Sequence, residues 1–301
     1  MKTVIKFLSL TLCLFMILST FIACDNEQPT EGLEYCLLED GTYGVKIGDA
    51  VDVENIVIPK KYDKKPVTTI MEEGFGTNGK EAPYKLKTIK IPNSVTTIEV
   101  SAFVNCITLE SVTIPDSVTT IGRYAFYGCR SLTSVNIPKG ITTIAPSTFE
   151  NCTSLTSIVI PESVTSIGRA AFASCTSLTS VNIPNAITSI EVDTFRACRS
   201  LESIAIPNSV TSIGALAFAG CGFTSITVPE GVTSIGGYAF ASCDSLKSVT
   251  IPKSVKTVGK EPFVGIVFLS DVYFAGSKEE WNALNFSVPS YAIIHYNYTP
   301  N

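Results

Sequence analysis

The sequence predicts a β-rich solenoid, and three ladders of residues carry the prediction. Pro92, Pro115, Pro138, Pro161, Pro184, Pro207, Pro229 and Pro252 head successive copies of one phrase, spaced by 23 residues except for a single interval of 22 between Pro207 and Pro229. Phe103, Phe126, Phe149, Phe172, Phe195, Phe218, Phe240 and Phe263 keep the same beat, as do Cys106, Cys129, Cys152, Cys175, Cys198, Cys221 and Cys243. A fixed period of this size belongs to a repeat array, in which each unit is stable only when stacked on its neighbours.

Each part of one copy has a physical reading. Leu132, Val135 and Ile137 stand in L-x-x-L-x-L spacing, the strand signal of a leucine-rich-repeat solenoid. One such strand per 23-residue turn pairs in parallel with the next turn. Pro138 ends the strand, because proline has no N–H for a ladder. The V/I-T-T/S-I stretches at 118–121, 141–144, 164–167 and 210–213 are β-branched and predict a second short strand on the opposite wall. Gly122, Gly168, Gly214 and Gly236 are expected to permit a tight corner. Ala125, Phe126 and Cys129 then point inward at a spacing that suits a short helical or 3-10 turn. Roughly eight apolar positions per copy therefore face one continuous core, which only stacking covers. Strands about 4.8 Å apart give nine rungs a span of about 40 Å.

The phrase L-x-S-V-x-I-P-x-S-V-T-S-I-G-x-x-A-F-x-x-C, over residues 56–274, resembles the BspA-like type of bacterial leucine-rich repeat. The resemblance implies a cell-surface or secreted protein with a binding role, as in family members associated with adhesion to host extracellular-matrix proteins or to other cells. The repeat spacing alone implies only a scaffold.

The N-terminus reads as a leader. Lys2 and Lys6 flank the start of an apolar run over 7–22, too short for a comfortable membrane span, followed by Ala23 and Cys24. Ala23-Cys24 with polar Asp25, Asn26 and Glu27 resembles a bacterial lipobox, with Phe21 where leucine is usual. The resemblance implies cleavage of 1–23 and lipidation of Cys24; plain secretory cleavage is the alternative. Residues 24–32 form a polar tether. Residues 33–57, with Tyr35-Cys36-Leu37-Leu38, a Glu39-Asp40-Gly41 turn and Tyr43–Ile47 of alternating character, predict a hairpin that covers the first rung.

The solenoid occupies 58–274 as about nine repeats, the first irregular. Pro59 lies 33 residues before Pro92, and the surplus falls in two lysine-bearing stretches at 61–65 and 77–84, expected as surface loops. Ile266 takes the cysteine position of the last repeat. Residues 275–301 predict a C-terminal cap: a helix near 278–284 bearing Trp281, then a closing strand at 292–298. This tail is similar to endings seen in BspA-like proteins, which implies a complete C-terminus.

Composition excludes several functions. A net charge of −5 argues against nucleic acid, whose partners normally present a strongly basic face. Charged residues make up only 16% of the chain, so Ser and Thr take the surface. Of ten cysteines, Cys13 leaves with the leader and Cys24 with its lipid, leaving Cys36 and seven in one column. Adjacent rungs bring such residues within disulfide range, but seven cannot all pair, and a ladder of free buried thiols is expected. No metal is expected, because no C-x-x-C pair or second histidine supplies four ligands. No cofactor is expected either, since there is no P-loop, dinucleotide fingerprint or EF-hand. His295, the single histidine, is read as a cap residue, and no G-x-S-x-G elbow accompanies it. An enzyme is therefore not expected.

What remains is surface. Between the inward residues of each strand lie Thr133, Ser134 and Asn136; Thr156 and Ser157; Thr179, Ser180 and Asn182. They form a long polar face, expected to be concave and suited to an extended protein ligand, host matrix protein included. Few aromatics interrupt it, which disfavours sugars. A second candidate surface is the basic flank of Arg123, Arg130, Arg169, Arg196 and Arg199, which suits an acidic partner. The expectation is an exported, non-enzymatic binding protein that meets the membrane only through its lipid. The other readings are a structural spacer of the envelope and, more distantly, a carbohydrate-binding component.

Overall fold

The computed structural model describes residues 28–50, 52–76, 85–284 and 286–299. The expected leader, Cys24 and the 77–84 stretch lie outside the described residues. The chain winds into a β-solenoid of about 11 turns with two strand walls. On the front wall the pairing is parallel, and the register repeats the sequence period: Ile56 opposes Ile89, Ile89 opposes Val112, Val112 opposes Val135, Ile158 opposes Val181, and Val249 opposes Val272. The back wall is built the same way from the V-T-T/S-I stretches, with Ile98 against Ile121, Ile144 against Ile167 and Ile190 against Ile213. The turns beyond the nine repeats come from the terminal segments. Asn55–Val57, expected within the cap, already pairs in parallel with Thr88–Lys90, and Ile293–His295 pairs in parallel with Asp271–Phe274.

The third side of each turn differs from the expected helical or 3-10 turn. Alternate amides point along the solenoid: Tyr124, Phe126 and Gly128 N–H donate to the carbonyls of Pro146, Thr148 and Glu150 in the next turn. The amides between them, on Ala125, Tyr127 and Cys129, close local turns onto Gly122, Tyr124 and Phe126. A helix directs all its amides inward, so it cannot supply these bonds between turns. The chain instead places Tyr124 and Gly128, Ala170 and Ser174, and Leu216 and Gly220 in the left-handed region. The corner glycines have a different role from the one expected. Gly122, Gly168 and Gly214 are not left-handed. A Cβ on Gly168 would lie 2.6 Å from Pro146 N, and one on Gly214 would lie 2.6 Å from Val192 N. They allow close approach of neighbouring turns rather than a bent backbone.

The core follows the ladders. Phe103, Phe126, Phe149, Phe172, Phe195 and Phe218 are buried, and their rings stack from turn to turn, 5.6 Å apart for Phe149–Phe172 and Phe172–Phe195. Beside them the seven repeat cysteines are buried free thiols. Each Sγ donates to the carbonyl of the phenylalanine one turn back, as from Cys175 to Phe149 and from Cys198 to Phe172, both 3.2 Å. The thiol thus fills a small apolar slot and gives that carbonyl, which already accepts the amide of the cysteine in its own turn, a second donor. Burial pushes Cys106, Cys198 and Cys243 up to about 12, which keeps them protonated. Ile266, at the same position, is equally buried.

The one short period has a local cause. Gly222 stands where other copies carry two residues, and a Cβ there would collide with the Arg199 carbonyl. Phe223 replaces the leucine and packs edge-on against Phe218 at 5.7 Å. Upstream of it the front wall lapses: residues 202–206 form no strand, and Ile204 and Ile206 are only half-buried.

Side chains cover the core at both ends. At the N-terminus, Glu34–Leu37 and Tyr43–Lys46 form the expected hairpin. The 61–65 stretch does not protrude as a loop. Lys61–Tyr62 pairs back on Lys65–Ile70 through left-handed Asp63 and Lys64, and Tyr62 stacks on Tyr35 at 4.0 Å. At the other end the helix is Lys278–Leu284, as expected. Ser277 Oγ accepts from Glu280 N–H while Glu280 Oε2 accepts from Ser277 N–H, a capping box. Trp281 is buried against Phe274 and Phe286.

Candidate binding face

The front wall alternates inward and outward residues, so the strand sequence decides what solvent meets. Thr133, Ser134, Asn136, Thr156, Ser157, Thr179, Ser180 and Asn182 are all exposed, on three consecutive turns. They are not equally available. The hydroxyls of Thr133 and Thr179 donate to the carbonyls of Glu110 and Thr156 one turn back, at 3.1 and 3.0 Å. Asn136 is bound at both ends of its amide: Oδ1 accepts from Ile114 N–H at 2.8 Å and Nδ2 donates to Ile114 C=O at 2.7 Å. Asn182 holds Ile160 in the same way. These two residues are clamps between turns where the backbones stand too far apart to bond directly. The hydroxyls of Ser134, Ser157 and Ser180 have no hydrogen-bond partner among the described residues, so they are the free hydroxyls of the face.

The clamp residues carry a stability prediction. Replacing Asn136 with alanine leaves the Ile114 N–H and C=O without their partners in a half-buried site. The expected loss is about 1–2 kcal/mol in urea melts, and a similar loss follows for Asn182→Ala. Melts unchanged within a few tenths would show that water replaces the clamp at no cost.

Val159 occupies the column position between the two asparagines and is 76% exposed. There the Ile137 backbone has no clamp, and a shallow groove of about 550 Å³ opens, lined by Val112, Ser134, Asn136, Lys139, Ser157 and Val159 among others. A second depression of about 280 Å³ lies at the lapse in the wall, beside Ile204, Ala205, Ile206, Val228 and Pro229.

The C-terminal end of the same face departs from the hydroxyl pattern. Tyr273 and His295 continue the column of Asn136 and Val159, and their rings stack at 4.6 Å. His295 Nε2 lies 2.8 Å from Asp271 Oδ1, and Ser270 Oγ donates to Asp271 Oδ2 at 2.7 Å. The Ser270 hydroxyl first, and His295 second, hold the Asp271 carboxyl below its usual range. The serine meets the carboxylate and not the imidazole, so no base-activated nucleophile results. Reading His295 as a cap residue from sequence missed this cluster. The signal was the register, because His295 follows Tyr273 by one period of 22.

The basic flank is partly neutralised. Arg169 Nη2 lies 3.3 Å from Asp193 Oδ2, and Arg196 Nε lies 3.0 Å from Asp193 Oδ1 and its Nη2 3.9 Å from Glu150. Asp193 is buried, so the two guanidiniums serve it as partners. Arg123, Arg130 and Arg199 remain exposed with no carboxylate partner among the described residues. Among the described residues no His/Cys/Asp/Glu group is arranged to hold a metal ion. No described helix is long and apolar enough to cross a membrane.

Relatives agree with this architecture. The family model described as the BspA type leucine rich repeat region matches in six copies, over residues 81–201 and 165–292. A leucine-rich repeat protein from Bacteroides ovatus is 26% identical with a TM-score of 0.64, over 90% of this chain and 78% of that one. The leucine rich repeat protein of T. pallidum is 30% identical with a TM-score of 0.58, over 65% of this chain and 89% of that one. No curated protein matches. With a matched span of 81–292 and the same ladders seen turn by turn, the chain belongs to the BspA-type leucine-rich-repeat family.

Proposed function

We propose that the protein is an exported, non-enzymatic binding protein that docks an extended protein ligand on its front wall, at the bacterial surface or envelope. The observation that carries the reading is the groove at Val159, a 76% exposed apolar residue set beside the free hydroxyls of Ser134 and Ser157. Apolar side chains of an extended ligand find Val159 there, and its main-chain groups find unengaged hydroxyls. The face continues for several turns in one register, which suits a ligand lying along the solenoid. The leader and Cys24 support delivery to the envelope by a lipid anchor, with host matrix protein among the ligands to be tried.

Residues 25–301 are to be used in pull-downs against matrix proteins and envelope extract. Ser157→Arg together with Val159→Arg places two long cations in the groove without touching a clamp. At least a tenfold loss of binding is expected, with the melting temperature unchanged. A ligand captured equally by the double variant would move the site elsewhere, and the flank of Arg123, Arg130 and Arg199 is the next to change. Failure to capture any protein would favour the structural spacer.

A further inference from the structure

We infer that the C-terminal edge of the front wall is a self-association surface, through which two copies join their sheets across a two-fold axis. The sheet ends at Ile293–His295. Ile293 N–H donates inward to Ser270 C=O, so by the alternation of a parallel ladder the N–H and C=O of Ile294 point outward, away from the solenoid. An exposed edge of this kind is a template for another strand unless charge, proline or a cover guards it. This one reads Ile-Ile-His, with no lysine, carboxylate or proline in the strand.

Around it the surface becomes apolar. Val267, Phe268, Tyr291 and Ile293 are 56–65% exposed. In earlier turns the positions of Val267 and Phe268 are held by pairs such as Arg130-Ser131 and Thr176-Ser177, and that of Ile293 by polar residues such as Thr88, Ser248 and Asp271. Of the earlier described turns only that of Ile107 has an apolar residue at either of the first two positions, and exposed apolar residues at both, together with Ile293, stand beside the open edge.

The occupant follows from the opposite end. There Val57, the outward residue of the first front-wall strand, has its C=O taken by Thr30 N–H at 3.1 Å and its N–H by Thr30 Oγ1 at 2.8 Å. The N-terminal hairpin strand lies on the back wall and carries Glu34, ion-paired to Lys46 at 3.0 Å. Head-to-tail stacking of front walls is therefore blocked, and the C-terminal edge has its own copy as the matching surface. Two antiparallel Ile293–His295 strands centred on Ile294 exchange both outward bonds, the closed pair that a two-fold axis requires. Ile293 of each copy then lies across from His295 of its partner.

Sedimentation velocity of residues 25–301 at micromolar concentrations tests this. A dimer is expected, and Phe268→Ser with Ile293→Lys is expected to yield monomer with an unchanged melting temperature. Hydrogen exchange gives a second readout: the Ile294 amide is expected to be protected in the dimer and to lose that protection on dilution. A monomer at all concentrations overturns the proposal, as does a dimer indifferent to the double variant or one that leaves the Ile294 amide unprotected.

Discussion

Replacing Phe172 with alanine is expected to destabilise the solenoid by about 3–5 kcal/mol, among the largest losses any single change produces. The ring is fully buried and sits between Phe149 and Phe195 at 5.6 Å on either side, nearly parallel to both. Its removal ends two ring stacks at once, beyond the apolar area lost. Partial collapse usually softens such a change, but the walls resist it here. The inter-turn bond from Phe172 N–H to Thr194 C=O and the thiol bond from Cys198 to Phe172 C=O hold the backbone at its spacing. A stack of nearest-neighbour units with one weakened interface also loses cooperativity, so the urea transition should broaden or split as its midpoint falls. A loss well under 1 kcal/mol would mean that the turns close over the gap.

The inward positions were legible because burial follows from period. Phe, Cys and Leu at fixed places in a 23-residue phrase have a single common side to face, and Phe172, Cys175 and Leu178 all face it. Helix Lys278–Leu284 was legible as well, and the structure adds the capping box of Ser277 and Glu280 that starts it. Hydrogen bonds between turns were not legible. Nothing in the phrase distinguishes an asparagine that offers its amide to a ligand from one that clamps Ile114, because that depends on the spacing of two backbones 22 residues apart in sequence. The left-handed corner at Tyr124, Ala170 and Leu216 was hidden as well, because bulky residues seldom adopt it and the adjacent glycine drew the inference instead. The chemistry at the C-terminal end was hidden too, because the contacts of His295 with Tyr273 and Asp271 depend on which strand the closing strand joins.

The role of the corner glycines separates cleanly in a paired substitution. Gly168→Ala is expected to cost about 1–3 kcal/mol, the range for forcing atoms into a packed interior. Its new methyl would lie 2.6 Å from Pro146 N and 2.9 Å from Ala145 C, both main-chain atoms of the preceding turn that cannot rotate away. Relief requires the two turns to part, which strains the bond from Gly168 N–H to Ile144 C=O at 2.8 Å. Ala145 occupies the same place in the preceding turn and already carries a Cβ. Ala145→Gly should therefore cost no more than about 1 kcal/mol, the ordinary entropic penalty of glycine. Urea melts of the two variants give the comparison, with hydrogen exchange at the Gly168 amide showing whether the turns have parted. Equal costs, or a neutral Gly168→Ala, would mean that neighbouring turns are not held in contact there. A clear excess for Gly168→Ala would identify close packing between successive backbones as the constraint that selects glycine at this corner.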